Sequence, residues 1–424
     1  MQDDVTPNKP KKTAIPVKEA SGTFGKDKFK TPEEVAAVSP ISDVDESGTP
    51  EAVINGKKVK SKRNSLRVIW HNFDKKQKVA CIVVAVIIVF AGTGGVLALT
   101  RHKPAPKPVA KVVPKPTPAP PAPKSDTVAS NLTGLQVSPE VNQRPVTGVM
   151  IENSPDARPQ SGLVQAGVVF EAVAEGGITR FLALFQDLQP DYIGPVRSAR
   201  PYYLQWCLSF DCALAHVGGS PEALANIKSL PVKDLDEFAN SGSYHRISSR
   251  FAPHNAYTSM QQLNQLEASK GFGTAKFTGF PRRTETPAKT PTASSIDFAI
   301  SSALYNPHFQ YNPSQNNYKR SEGGEEHVQI DGNGNPQPIL PKVVVGIVTQ
   351  QGIEPDDLHT SYLTWGSGQA YVFQDGMETN GTWHKADANS PLTFTDDQGQ
   401  PLKFDAGQTW ITVLGSTSDV SYSP

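Results

Sequence analysis

Cysteine is scarce: Cys81, Cys207 and Cys212 are the only three in 424 residues, too few for a fold built on disulfides. A net charge is lacking as well, since 41 Lys and Arg balance 41 Asp and Glu. With no basic stripe interleaved with aromatics, that balance argues against nucleic acid as a partner. Metal and nucleotide signatures are missing: there is no HExxH pair, no C-x-x-C, no Walker A loop and no GxGxxG turn. His216, His245, His254 and His327 are dispersed. The GxSxG elbow and the S-x-x-K pair of acyl-transfer enzymes are missing too. The common exported hydrolases and transpeptidases therefore find no support, and neither a metal nor a cofactor is expected.

What is present is strongly asymmetric along the chain. Residues 1–78 are polar and poor in large apolar side chains, which predicts a disordered cytoplasmic segment. Met1-Gln-Asp-Asp offers neither a charged n-region nor an apolar run, so no signal peptide is expected there. Residues 79–99 carry no charge, and about 21 residues at about 1.5 Å each reach about 31 Å, the thickness of a bilayer core. One transmembrane helix is therefore expected over 79–100. Residues 101–129 are rich in Pro, Ala and Lys and read as an extended stalk. Basic residues flank the apolar run on both sides, with a slight excess before it. That excess favours a single-pass protein of the cytoplasmic membrane, N-terminus inside and globular part outside.

The remainder predicts an α+β protein. A mixed α/β domain is expected over 130–280, a connecting loop over 281–295, and a smaller, mostly-β domain over 296–424. Strands are predicted at 146–151, 168–173, 180–185 and 213–217, from short apolar runs. Helices are predicted at 201–208, with Ser198 as a candidate N-cap, at 221–227 behind Ser220, and at 259–268 behind a Thr258 capping box. In the second domain, apolar runs at 296–300, 343–349, 370–373 and 409–414 are separated by Gly, Asn and Asp.

Three polar loops repeat one chemistry: a guanidinium beside a proline that restricts the backbone. They are Arg158-Pro159, the Gly194-Pro195-Val196-Arg197-Ser198-Ala199-Arg200-Pro201 turn, and Arg250-Phe251-Ala252-Pro253-His254-Asn255. If they converge, Arg158, Arg180, Arg197, Ser198, Arg200, Arg250, His254 and Asn255 would receive a carboxylate or phosphate. The competing reading pairs the same arginines with Glu152, Glu171, Glu175 and Asp187 inside the fold. A catalytic reading is also open. Glu171 and Glu175 stand four apart and would face one side of a strand, with His254 as a partner for acid–base hydrolysis. Cys207 and Cys212 are close enough in sequence to pair as a disulfide.

The motifs ARPQSG, FEAVAEGGITRFLALF, GPVRSARPYY, AHVGGS, RFAPHN, GSGQAYVFQDG, GTWHK and GQTWI, in that order between residues 146 and 413, resemble the YerB-like lipoprotein family. The resemblance implies a bacterial, exported protein with an N-terminal and a C-terminal part, and it implies no reaction. One departure matters. The apolar run follows Cys81 instead of preceding it, which makes Cys81 a poor lipidation site and suggests that the helix replaces a lipid anchor. The leading expectation is an envelope protein that binds an anionic cell-wall polymer or an envelope protein through its arginine loops. An envelope hydrolase using a Glu pair and a non-catalytic interaction scaffold are the alternatives.

Overall fold

Apolar runs without alternation fill the central strands, as expected where both faces of a sheet are covered. The computed structural model describes residues 126–424 and, by themselves, the strands Val53–Ile54 and Lys57–Lys58, which pair with each other. In chain order the first half of the larger region supplies β1 (Thr147–Glu152), β2 (Val168–Glu175), β3 (Ile178–Phe185), β4 (Ala213–His216) and β5 (Lys233–Asp236). The second half supplies β6 (Ser295–Phe298), β7 (Pro307–Asn312), β8 (Asn317–Glu322), β9 (Glu325–Glu326) and β10 (Val343–Val348). After these come β11 (Gly366–Gln374), β12 (Met377–Lys385), β13 (Thr393–Thr395), β14 (Thr409–Leu414) and β15 (Val420–Ser423).

Ten strands form one mixed sheet in the order β13–β12–β11–β10–β14–β2–β3–β1–β4–β5. The joining strand is β14, which runs parallel to β10 on one side and to β2 on the other. Strands from the two halves of the sequence thus share one continuous hydrogen-bonded ladder. The β2–β3 hairpin closes through Gly176 and Gly177, with φ of 57° and 77°, the conformation that a two-residue type I′ turn requires at both positions. A bulge between Val173 and Glu175 shifts the register just before that turn.

Helix α1 (Pro201–Leu208) covers one face, placing Tyr202, Tyr203 and Trp206 against Phe170 and Leu182. The Phe170 and Trp206 rings stack with centroids 5.2 Å apart. A second sheet, β9–β8–β7–β6–β15, covers the other face, where Ile296, Phe298, Phe309 and Tyr318 meet Val169, Phe181 and Trp410. Each such side chain contributes on the order of 1.5–3 kcal/mol when fully buried. Helix α2 (Pro221–Ser229) starts at Ser220, whose side chain accepts from the Ala223 amide as expected.

Several expectations need correction. The region is mostly β and is organised around a single large sheet, not an α/β domain followed by a β domain. Its α-helices are short, and α/β patterning was inferred from strands whose uninterrupted apolar runs are covered by a second sheet as well as by helices. The expected membrane-spanning helix is not supported: no helix among the described residues is long and apolar enough to cross a membrane. Residues 79–99 themselves lie outside the described residues, as do the polar segment before them and the stalk after them up to residue 125. Arg200, not Ser198, is the N-cap of α1 and makes no side-chain cap bond. Helix α3 (Met260–Ser269) is capped by Ser259, one residue after the expected Thr258.

Cys207 and Cys212 form a disulfide across the turn from α1 into β4, with Cα atoms 5.2 Å apart. So short a closed loop limits how much chain entropy the bond removes from the unfolded state. Replacing both cysteines by serine should lower unfolding free energy by about 2 kcal/mol, read as a lower urea midpoint at unchanged slope.

Candidate functional site

The three proline loops do converge. Ser161 and Gly194 exchange backbone hydrogen bonds, Val196 donates to Ala256 O, and Ile193 and Thr258 exchange theirs. Arg250 joins the first loop to the third by donating to Ala157 O (2.6 Å) and Pro159 O (2.8 Å). Each loop contains one cis X–Pro bond, at Pro159, Pro195 and Pro253.

Their guanidinium groups, however, point in different directions. Arg158 reaches the second half of the chain, pairing with Glu322 at 3.1 Å and lying over the Tyr305 ring. Arg180 and Arg200 take the two oxygens of Glu175 at 2.5 and 2.6 Å. Arg180 also donates to Ser198 O, and Arg200 to Ala199 O, both at 2.7 Å. These side chains lock the loops to the sheet, which is the internal-pair reading for them.

Arg197 is different. Its Nε lies 3.3 Å from Glu152 Oε2 without the alignment of a hydrogen bond, and its terminal nitrogens make none among the described residues. Burial pushes the Arg197 guanidinium pKa down, and Glu152 opposes that shift. A half-buried cation so weakly compensated gains from an added anion. Arg197 lines a cleft of about 410 Å³ together with Ser198, Gly218, Phe238, Arg246 and Pro253. Arg246 pairs with Glu237 at 3.1 Å and donates to Asn255 Oδ1, also at 3.1 Å. Phe238 is 73 % exposed and Phe251, in the neighbouring loop, 92 %. Asp236 also lines the cleft and accepts from the Gly218 amide.

Arg246 and Phe238 carry no signal in the sequence, whereas Glu152 is expected there as an internal partner of the arginines and does face Arg197. For Glu152 a signal existed: a charge at the end of the otherwise uncharged run Thr147–Glu152. In the structure it is buried and accepts from Ser154 Oγ (2.8 Å) and His254 Nδ1 (2.9 Å) while facing Arg197. His254 therefore stands behind Arg197, and Asn255 behind Arg246, instead of lining the cleft.

The expected Glu171, Glu175 and His254 trio is not assembled. The bulge at Val173 breaks the alternation, so Glu175 meets Arg180 and Arg200 on the α1 side while Glu171 lies on the other. Glu171 is fully buried and accepts both oxygens' worth of hydrogen bonds from Arg320 (2.8 and 2.9 Å) and one from Trp410 Nε1 (2.9 Å). Arg320 also binds Glu322 at 3.0 Å and donates to His327 Nδ1. Because a guanidinium only donates, His327 Nδ1 must accept, and its Nε2–H donates to Gln160 Oε1 at 3.0 Å. Burial, followed by the charges of Arg320 and Arg158, holds His327 well below the usual histidine range.

Comparison with known proteins agrees with this architecture. Residues 132–273 match the N-terminal domain, and residues 296–411 the C-terminal domain, of the family described as "Protein of unknown function (DUF3048)". The chain is 31 % identical over 300 residues to the "Putative lipoprotein YerB" of Bacillus subtilis (strain 168), covering 69 % of this chain and 88 % of that one. It is also similar to the crystal structure of the YerB protein from Bacillus subtilis, with a TM-score of 0.63 at 28 % identity, over 70 % of this chain and 100 % of that one.

The buried network makes two predictions. Arg320→Met should cost about 3–5 kcal/mol in urea unfolding by stranding Glu171, and adding Glu171→Met should recover much of it. Neutral His327 gives the second. The unfolded chain takes a proton below about pH 6.5 that the folded chain refuses, so stability falls as pH falls, by up to about 1.4 kcal/mol per unit. In His327→Gln, which keeps one donor and one acceptor, that share of the acid loss should vanish when unfolding is compared from pH 7 to pH 5.

Proposed function

The chain belongs to the DUF3048 family, and we propose that its folded unit is an extracytoplasmic, membrane-associated binding module that takes an anionic group of an envelope component in the Arg197–Arg246 cleft. The lipoprotein name of its Bacillus relative and the Cys207–Cys212 disulfide, a bond that persists in oxidising compartments, support the location. The observation that carries the ligand class is Arg197: a half-buried guanidinium at the cleft wall with uncommitted terminal nitrogens among the described residues. Arg158, Arg180, Arg200 and Arg250 are spoken for by internal partners, so the reading rests on Arg197, with Arg246, itself paired with Glu237, as a second guanidinium on the cleft lining. Phe238 adds an exposed aromatic face, which suits a ligand whose anion is borne on a sugar or other ring. Asp236 in the cleft lining disfavours a ligand that is anionic throughout and favours one whose charge is localised. Envelope polymers with spaced phosphates or carboxylates have that character.

Soluble wall-polymer fragments carrying phosphate or carboxylate, titrated into the protein by calorimetry, provide the test. Arg197→Ala and Arg246→Ala should each weaken binding by about tenfold or more, with the melting temperature nearly unchanged. Addition of salt should weaken it further. Equal affinity in wild type and both variants, or no saturable binding, would remove the cleft from consideration.

A further inference from the structure

A second group of chemistry-bearing side chains lies away from the cleft. Gln351–Ile353 and Thr360–Tyr362 form a two-stranded hairpin, with Ile353 paired to Thr360, and the six residues between them make its loop. Within that loop Asp356 Oδ1 accepts from the amides of Leu358 and His359, both at 3.0 Å, and Glu354 O accepts from the Asp357 amide at 3.1 Å. Asp357 takes a left-handed φ of 57°. The loop so folded brings one ligand atom each from Glu354, Asp356 and His359 to within 4.8 Å of one another.

Two further observations point to a ligand here. Glu354 is only 3 % exposed, yet its Oε1 has no hydrogen-bond partner. Leaving a buried carboxylate oxygen without a donor or cation is costly. A cavity of about 380 Å³ also opens against it, lined by Pro221, Glu222, Glu354, Pro355 and Asp356. It has room for an ion with coordinated waters, and it adds the carboxylate of Glu222 from the first turn of α2.

We propose that Glu354, Asp356 and His359 bind a divalent cation of the zinc class, with Glu222 facing the same cavity. The donor set selects the class: one imidazole nitrogen with carboxylate oxygens suits zinc and its first-row neighbours better than calcium, which takes oxygen ligands throughout. Asp356 Oδ2 and His359 Nδ1 already stand side by side as hydrogen-bond partners, and the cation would take the place of the proton they share. The consequence is mechanical. His359 forms a β-bridge to Glu175, the carboxylate that grips Arg180 and Arg200, so the cation ties the hairpin to the end of β2 and the start of α2.

This site is independent of the Arg197 cleft and can be tested apart from it. The full chain, without a polyhistidine tag and stripped with chelator, is titrated with zinc chloride by calorimetry and thermal shift, with calcium chloride as the contrast. Wild type should bind about one zinc ion per chain saturably and melt at a higher temperature with it. Glu354→Gln and His359→Ala should each weaken zinc by about tenfold or more. Arg197→Ala should leave it unchanged. Circular dichroism of the metal-free variants checks folding, and Asp356→Asn replaces either variant that fails it. No saturable zinc binding in wild type, a preference for calcium, or full affinity in the variants would overturn the proposal.

Discussion

The buried pair between Glu171 and Arg320, in which Nη2 reaches both carboxylate oxygens, is the constraint on which the rest of the structure depends. Both side chains are fully buried, so neither charge tolerates the loss of the other. The pair joins β2, from the first half of the chain, to β8, in the covering sheet of the second half. Trp410 of β14 donates to the same carboxylate, so the strand that unites the large sheet is fixed at the same point. Three elements far apart in sequence are thereby registered by one carboxylate. Around it the charges balance locally: Arg320 and Arg158 against Glu171 and Glu322, with His327 neutral between them. All of its polar groups but Arg320 Nε find partners, and a network so nearly satisfied rigidifies a core, whereas a half-satisfied one would destabilise it.

That constraint also explains why Glu171 resembled a catalytic group in the sequence. A carboxylate inside an apolar strand must either do chemistry or have a buried partner, and residue types alone do not distinguish the two. The partner, Arg320, lies in the run Asn-Tyr-Lys-Arg-Ser-Glu, which alternates as a half-exposed strand does. Nothing local marks Arg320 as the member that turns inward.

Local features were read well where local physics decides them. The apolar runs at 168–173, 180–185 and 409–414 are strands, the first two each extended by two residues toward their shared turn, Pro201 and Ser220 begin helices, and the arginine–proline loops meet. Non-local choices were not legible. The fold class was misjudged because β14 inserts between β10 and β2, a parallel pairing that no turn or linker announces. In the site, the sequence suggested that several arginines would share one ligand, but each guanidinium takes whichever acceptor its loop brings closest. Arg246 and Phe238, which do reach the cleft, sit in stretches without a repeated pattern. Their place on the cleft comes from tertiary contacts such as the pairing of Arg246 with Ala256 in the third loop's return strand.

The loops that hold Arg197 are unusually well braced, and this bears on how a ligand would be held. Ser198 O is gripped by Arg180, Ala199 O by Arg200, and the Arg197 amide by Met150 O in β1. Both gripping arginines share Glu175, whose strand end also bridges to His359 in the hairpin. The backbone on either side of Arg197 is therefore tied to the sheet at three points, while the terminal nitrogens of its guanidinium are left uncommitted among the described residues. Anion recognition is strongest when the donor is fixed before the ligand arrives, because little conformational entropy is then lost on binding. The internal ion pairs that seemed to compete with a binding role are what hold the remaining guanidinium in place.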